Sequence, residues 1–510
     1  MQNLPDTLYN VNSIVQLESI AINQYGIPAY ELMKRAAAAV FDVIHNNYSG
    51  RKNILLLCGA GNNAGDGYVV ATLAKQAGYH VTVVSLIAPE TLKNEAQLAY
   101  QDWLAIGKNA LADFSLLEKA DIVVDALLGT GLTREVSGDW AKWITAVNES
   151  TKPVISIDIP SGLLADTGAI AGVAIKAGIT VSFIGLKQGM FTGQAKDVCG
   201  EIVFNNLALP EQVYAQVDCD GHLISKVNYS LLPKRKASSH KGCFGHVLIV
   251  GGNEGMPGAV ILAATAALRA GAGLLTIITA PKNVAAISAA VPEAMIKTCD
   301  IESAGKSVIS ALFAQAFIDA VTHVAIGMGL GQDDWALELL RFCASLGKPL
   351  LIDADALNLM AENAVQITGP LIITPHPGEA ARLLSREKRY SSADIQQNRF
   401  QAIRKLHALF TDSESCVVIL KGSGSLIFDG QTMKVCNLGN AAMAAPGMGD
   451  VLSGISIGLW GQNIAIDDVA ELAVCLHASA ADSLIKQTAK GSSRGLLASD
   501  VVSALPRVLQ

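Results

Sequence analysis

Aromatic residues make up only 5% of the chain and charged residues only 16%. No apolar run approaches the ~20 residues that span a bilayer. The best candidate, Ala259 to Leu268, contains Thr265 and is broken at once by Arg269. It reads as a buried helix, so no membrane segment is expected. The opening Met-Gln-Asn-Leu-Pro-Asp has neither a basic n-region nor an apolar h-region, and no signal peptide is expected. The nine cysteines, Cys58 to Cys475, include no CxxC pair. An odd, unpatterned set in a long chain indicates a reducing compartment, here the cytoplasm, and mostly inert core thiols. A net charge of −7 with a pI near 5.7 leaves no electrostatic footprint for nucleic acid.

What is abundant is small and aliphatic: 51% of residues are hydrophobic and 46 are glycine. That is the profile of buried parallel strands covered by small-faced helices. A length of 510 residues suits two α/β domains rather than one. In the first half, Asn53–Cys58, His80–Ile87, Asp121–Leu128 and Pro153–Ile159 read as buried strands, with two more around Thr180–Gly185 and Glu201–Phe204. Helical stretches are expected at Gly65–Ala77, Asn94–Ile106 and Trp140–Asn148. Such alternation predicts a doubly wound parallel sheet.

The pattern falters between Asp218 and Lys241, which places a boundary near 225 and gives domains 1–224 and 225–510. It restarts with His246–Val250 and a small-residue helix ending near Ala270. Strands follow at Leu275–Thr279, His323–Ile326, Leu350–Ile352, Leu371–Thr374, Val417–Leu420 and Ser425–Phe428, then helices from near Asp450 and Val469.

Three polar clusters in the first domain sit just past strand ends, where parallel sheets bind ligands. They are Gly59–Gly67 (G-A-G-N-N-A-G-D-G), Asp125–Glu135 (D-A-L-L-G-T-G-L-T-R-E) and Asp158–Gly162 (D-I-P-S-G). A Gly-rich turn entering a helix suits a phosphate. The ordinary dehydrogenase reading is weak, because Ser85-Leu86-Ile87-Ala88 lacks the ribose-binding acid. Instead Asn62, Asn63, Asp66, Asp125, Asp158 and Ser161 form an oxygen-rich set suited to a cation, with a carboxylate to spare for acid–base work. Helix capping accounts for any one of them alone.

In order and spacing, N-N-x-G-D-G, D-A-L-x-G-T-G and S-I-D-I-P-S-G resemble the NAD(P)H-hydrate epimerase domain over residues 10–220. The resemblance implies a Rossmann-like fold that interconverts the R and S hydrates of NADH and NADPH beside a potassium ion. On this chain Asn62, Asn63, Ala64, Gly65 and Asp66, with Gly129, Thr130, Gly131, Leu132, Thr133, Arg134 and Glu135, would contact the dinucleotide. Asn63, Asp125 and Ser161 would hold potassium, and Asp158 would be the acid/base. Ala64 stands where the family has glycine, and its methyl is expected to crowd the diphosphate.

In the second domain, Ala445–Asp450 (A-P-G-M-G-D) opens a helix. Glycines there form an anion hole, and an aspartate within it can move a proton. The motif resembles the ribokinase-like superfamily. Lys421–Ser425 (K-G-S-G-S) follows a strand and offers a cation with a Gly-rich cradle; Thr374–Glu379 (T-P-H-P-G-E) and Asp353, Asp355 and Asn358 end two more strands. Joined with H-K-G-x-x-G (His240–Gly245), A-A-L-R-A-G-A-G and G-M-G-L-G (Gly327–Gly331), these look like the ADP-dependent NAD(P)H-hydrate dehydratase over 235–505. The resemblance implies Asp450 as base. It assigns Lys421, Gly422, Ser423, Gly424, Ser425 and Gly449 to the nucleotide, and Ala259, Gly329 and His376 to the hydrate. Magnesium would enter with ADP or ATP. Met328 replaces the family's proline and is expected to loosen its turn.

The whole reads as an α/β repair enzyme for hydrated NADH and NADPH, forming a homo-oligomer. Two alternatives stand beside it: a ribokinase-like small-molecule kinase with a dinucleotide-sensing first domain, and a first domain that only binds ligand.

Overall fold

The computed structural model describes residues 4–299, 315–385, 389–487 and 493–509. The chain separates into two units, Met1–Leu223 and Ile224–Gln510.

The first unit contains strands β1 (Thr7–Tyr9), β2 (Asn53–Cys58), β3 (His80–Ser85), β4 (Asn109–Ala110), β5 (Ile122–Ala126), β6 (Val154–Ile157), β7 (Ile179–Phe183), β8 (Leu186–Lys187), β9 (Glu201–Asn205) and β10 (Gly221–Ile224). Its main sheet runs β4-β3-β2-β5-β6-β7-β9, and every pair in it is parallel. β5 and β6 are buried end to end, so they carry aliphatic runs rather than alternation. Outside the sheet, β1 pairs parallel with β8 and antiparallel with β10. The chain builds outward from β2 to β4, then returns to lay β5 on the other side of β2. The crevice at that reversal lies between the loops after β2 and β5. Gly59 is needed there, because a Cβ on it would lie 1.9 Å from the Leu127 carbonyl oxygen.

Several elements differ from the sequence reading. The helix after β2 spans Asn62–Gln76 and so begins three residues before the expected Gly65, with Gly61 as its N-cap at φ +79°. β7 stops at Phe183 because Ile184 takes φ +64°, which turns the chain back into β8. Helices Val11–Asn23 and Ala29–Tyr48 went unread, although Leu32, Met33, Ala36, Ala37, Val40 and Ile44 recur at helical spacing and are buried. Ala64 is fully buried in the hydrophobic core of this unit, so its methyl faces packing, not a diphosphate.

The second unit contains β11 (His246–Val250), β12 (Leu274–Thr279), β13 (Met295–Thr298), β14 (His323–Ile326), β15 (Leu350–Ile352), β16 (Leu371–Ile373), β17 (Cys416–Leu420), β18 (Leu426–Phe428) and β19 (Met433–Cys436). The order is β13-β12-β11-β14-β15-β16-β17-β18-β19. Pairing is parallel up to β17, then antiparallel through two hairpins. The reversal falls between β11 and β14. Met328, expected to loosen its turn, is instead fully buried, and its carbonyl accepts from the Gly252 N–H at 3.1 Å.

Helix Pro257–Ala270 packs on helix Met448–Trp460 by backbone contact. A Cβ on Gly454 would lie 2.2 Å from the Ala263 carbonyl oxygen, and one on Gly458 would lie 2.4 Å from that of Ala267. No helix among the described residues is long and apolar enough to cross a membrane, and no disulfide joins the cysteines there. Gly454→Ala forces these helices apart and is expected to destabilise the second unit by about 1–3 kcal/mol, read as a lower denaturant midpoint with an unchanged slope.

Candidate functional site

In the first unit, the three clusters foreseen from the sequence meet at the ends of β2, β5 and β6. Asp125, next to last in β5, has no solvent exposure and accepts four hydrogen bonds: from Ser156 Oγ (2.8 Å), Ser161 N (2.9 Å), Ser161 Oγ (2.5 Å) and Leu127 N (3.2 Å). Ser161 Oγ in turn accepts from Leu128 N at 2.8 Å. Burial pushes the Asp125 carboxyl upward, and the bonds from Ser161, Ser156 and Leu127 only partly oppose it. Asn63, in the first turn of Asn62–Gln76, is 8% exposed, and neither its Oδ1 nor its Nδ2 has a hydrogen-bond partner. A Cβ on Gly129 would sit 3.3 Å from Asn63 Cβ, so the loop after β5 backs onto that amide. Gly129 and Thr130 are half-buried, and Gly131, Thr133, Arg134 and Glu135 are exposed along the same loop.

Asp158 follows β6 in the left-handed region at φ +64°. Its N–H donates to the Val181 carbonyl at 2.7 Å, and its carboxylate forms an ion pair with Lys187. Asp66 from the helix Asn62–Gln76 and Glu18 from the helix Val11–Asn23 share this pocket of charge. Burial first, then the Asp158 carboxylate, raises both of their pKa values, against the pull of Lys187. Glu18 and Lys187 were not anticipated. Lys187 is a lone cation in the apolar stretch after β7, which was the available signal.

In the second unit, three adjacent strand ends converge: Asp353 after β15, Thr374–Glu379 after β16 and Lys421 after β17. Lys421 Nζ lies 2.6 Å from Asp353 Oδ1 and 3.7 Å from Glu379 Oε2. Ser453 Oγ donates to Asp353 Oδ2 at 2.7 Å. Burial is the largest influence and would raise the Asp353 carboxyl, but the Lys421 ammonium and the hydrogen bonds from Lys421, Ser453 and Thr374 together outweigh it and hold Asp353 below the usual carboxylate range. Burial would likewise lower Lys421, and Asp353 and Glu379 outweigh that.

Gly447, at φ +84°, caps helix Met448–Trp460 and puts Gly449 and Asp450 in its first turn. A Cβ on Gly449 would lie 3.3 Å from Lys421 Nζ and 3.7 Å from Asp353 Oδ2. Asp450 is pushed up to about 7 by burial, then by Asp353, Asp355 and Glu379, with Lys421 opposing. Ala259 and Gly329 meet at the sheet reversal, where a Cβ on Gly329 would lie 3.2 Å from Ala259 Cβ. His376 caps helix Pro377–Leu384, its Nδ1 accepting from Gly378 N at 2.9 Å, and burial followed by Lys421 lowers its pKa. Its Nε2 faces Glu379 Oε1 at 3.3 Å.

Sequence reasoning missed Arg399, which sits in an ordinary amphipathic helix. Fully buried, it donates to the carbonyls of Leu420 (3.1 Å), Lys421 (3.3 Å) and Gly424 (3.5 Å) from beneath the Lys421–Ser425 loop.

Fold and site define a two-domain α/β enzyme, a Rossmann-like sheet followed by a ribokinase-like one, with carboxylates at the strand ends of each. Residues 247–507 match the family described as NAD(P)H-hydrate dehydratase, and residues 29–189 match the YjeF-related protein N-terminus. The chain is 42% identical to the bifunctional NAD(P)H-hydrate repair enzyme of Vibrio cholerae, with 99% of each chain covered. It is 38% identical to that of Escherichia coli, with 99% of this chain and 95% of the other covered. A solved structure, the Bacillus subtilis ADP/ATP-dependent NAD(P)H-hydrate dehydratase co-crystallized with ATP/Mg2+, is 29% identical over 55% of this chain and 94% of its own, with a TM-score of 0.47. The chain belongs to the bifunctional NAD(P)H-hydrate repair enzymes.

Arg399→Met strips buried carbonyls of their donor, at about 1–3 kcal/mol for each left unpaired. The expected result is a lower denaturant midpoint for the second unit and weaker binding of ADP in a titration.

Proposed function

We propose that the first unit interconverts the R and S hydrates of NADH and NADPH at Asp158, and that the second returns the S hydrate to NAD(P)H at Asp450 with consumption of a nucleotide. The observation that carries this is the Asp450 carboxylate, set in a helix start with Gly447 and Gly449, beside Lys421 and with a pKa near neutrality.

Hydroxide is a poor leaving group, so the ring hydroxyl of the hydrate must first be activated. Asp450 takes the hydroxyl proton as the oxygen attacks the terminal phosphoryl of ADP, releasing AMP. The helix N–H groups at Gly447–Gly449 and the Lys421 ammonium balance the charge on the phosphoryl in transit. The phosphate ester then leaves as inorganic phosphate, a ring proton is lost, and the dihydronicotinamide is restored. The loop Lys421–Ser425 holds the nucleotide, and Ala259, Gly329 and His376 hold the hydrate. Magnesium would enter with the nucleotide and would supply positive charge to offset its phosphates.

Inversion at the hydroxylated carbon requires one bond there to break and re-form on the other face, while one group takes a proton and returns it. Asp158 is that group, and the loops Asn62–Asp66 and Gly129–Glu135 flank the dinucleotide. Potassium suits the neighbouring oxygens: the orphaned Asn63 amide lies against Gly129 in the loop after β5, and that loop leads from Asp125, a buried carboxylate with no cation partner among the described residues. Asn63, Asp125 and Ser161 would hold the ion, whose charge would offset Asp125 and the diphosphate. The cytoplasm is the compartment where such cofactors are used and where unpaired thiols persist.

Hydrated NADH incubated with ADP decides between repair and a small-molecule kinase. Return of dihydronicotinamide absorbance is expected, and a stable phosphorylated product without it would refute repair. On a mixture of both hydrates, Asp158→Asn is expected to recover only the S share quickly, its epimerisation slowed about 10²–10⁴-fold. Full fast recovery would show the first unit to be a binding module. Because the base must be ionised, dehydratase kcat/KM is expected to fall as pH drops below about 7. Lys421→Met removes the charge that favours the Asp450 anion, so the same fall should begin at higher pH.

A further inference from the structure

Lys187 is 1% exposed, yet its ammonium has three acceptors for its three protons: Asp158 Oδ1, Ser182 Oγ at 3.1 Å and Phe183 O at 3.0 Å. It reaches them because β7 ends at Phe183 and the next residue, Ile184, at φ +64°, folds the chain back through Gly185. Gly185 has no room for a side chain, since a Cβ there would lie 2.6 Å from the Tyr9 ring and 2.7 Å from Ile14. On the other side of the ion pair, Asp158 Oδ1 also accepts from Phe183 N at 3.2 Å. Oδ2 has no hydrogen-bond partner among the described residues, and the Asp158 side chain retains 19% exposure. One oxygen of the carboxylate is therefore bound to the protein and the other is presented outward.

We infer that Lys187 is the positioning residue of the epimerase site: it anchors Oδ1 of Asp158 so that Oδ2 is the oxygen that meets the substrate proton. This rests on the reading of Asp158 as the acid/base. Lys187 is too deeply buried to touch the dinucleotide, so it acts only through Asp158. Its charge also opposes the rise of the Asp66 and Glu18 carboxyls gathered beside the ion pair with Asp158. An unanchored Asp158 at φ +64° would be free to rotate away from the reacting carbon. A misplacement on the order of 1 Å costs a rate of about 10²-fold.

The test follows conversion of purified R hydrate to S hydrate by chromatography, in the full chain and its Lys187→Met, Lys187→Arg and Asp158→Asn variants. Lys187→Met is expected to lower kcat about 10²-fold while KM stays near native. Lys187→Arg restores the charge in a different shape and should fall between. Dehydration of pure S hydrate by the same chains should be unchanged. Native kcat in Lys187→Met, or a loss carried by KM instead, overturns the inference. Should Lys187→Met fail to fold, Lys187→Arg carries the test, and a native kcat there overturns it equally. If Asp158→Asn is inactive while Lys187→Met turns over at the native rate, only this inference falls. If Asp158→Asn itself turns over normally, the reading of Asp158 falls and takes the inference with it.

Discussion

A carboxylate taken out of water must be answered by a cation or by donors, and that requirement organises both candidate sites. Asp353 and Lys421 answer each other at 2.6 Å, with Ser453 on the second oxygen. Asp158 is answered by Lys187. Asp125 is answered only by hydrogen bonds, and its pKa rises accordingly. Each pairing ties together strand ends distant in sequence, so charge compensation and the placement of the loops are one constraint.

The pairing also sorts the carboxylates by role. In the second unit Asp353 spends its charge on Lys421 and stays ionised, while Asp450, close by but unpaired, is pushed up to about 7. Two carboxylates driven apart by their surroundings are what acid–base chemistry at neutral pH needs. Because Lys421 stabilises Asp353 and opposes the rise of Asp450, one side chain sets both ionisation states. Arg399 supports that arrangement from below, holding the carbonyls of Leu420, Lys421 and Gly424 inward.

The two activities are complementary because water adds to the nicotinamide ring on either face. A dehydratase committed to one stereoisomer leaves the other behind unless a partner interconverts them. Both units meet their task on a parallel sheet with a reversed strand order, where loops from non-consecutive strands face one crevice. The second unit adds glycine-mediated helix packing, which places the start of helix Met448–Trp460 against the strand ends.

The strands, the glycine turns and the order of the polar clusters were legible in the sequence, because aliphatic runs and Gly-Asp turns are local patterns dictated by backbone geometry and burial. The glycine turn after β2, the helix start at Asp450 and the Lys421 loop follow from such patterns, whereas Ala259, Gly329 and His376 were singled out only by the family resemblance. The first-unit helices Val11–Asn23 and Ala29–Tyr48 were legible in principle, through apolar residues at helical spacing, but went unread. Glu18, Lys187 and Arg399 were beyond it. Nothing in the neighbouring residues of a buried lysine or arginine says which distant carboxylate or carbonyl will meet it. Only the assembled sheets, by setting β7 beside β6 and β16 between β15 and β17, decided that Lys187 holds Asp158 and that Lys421 holds Asp353.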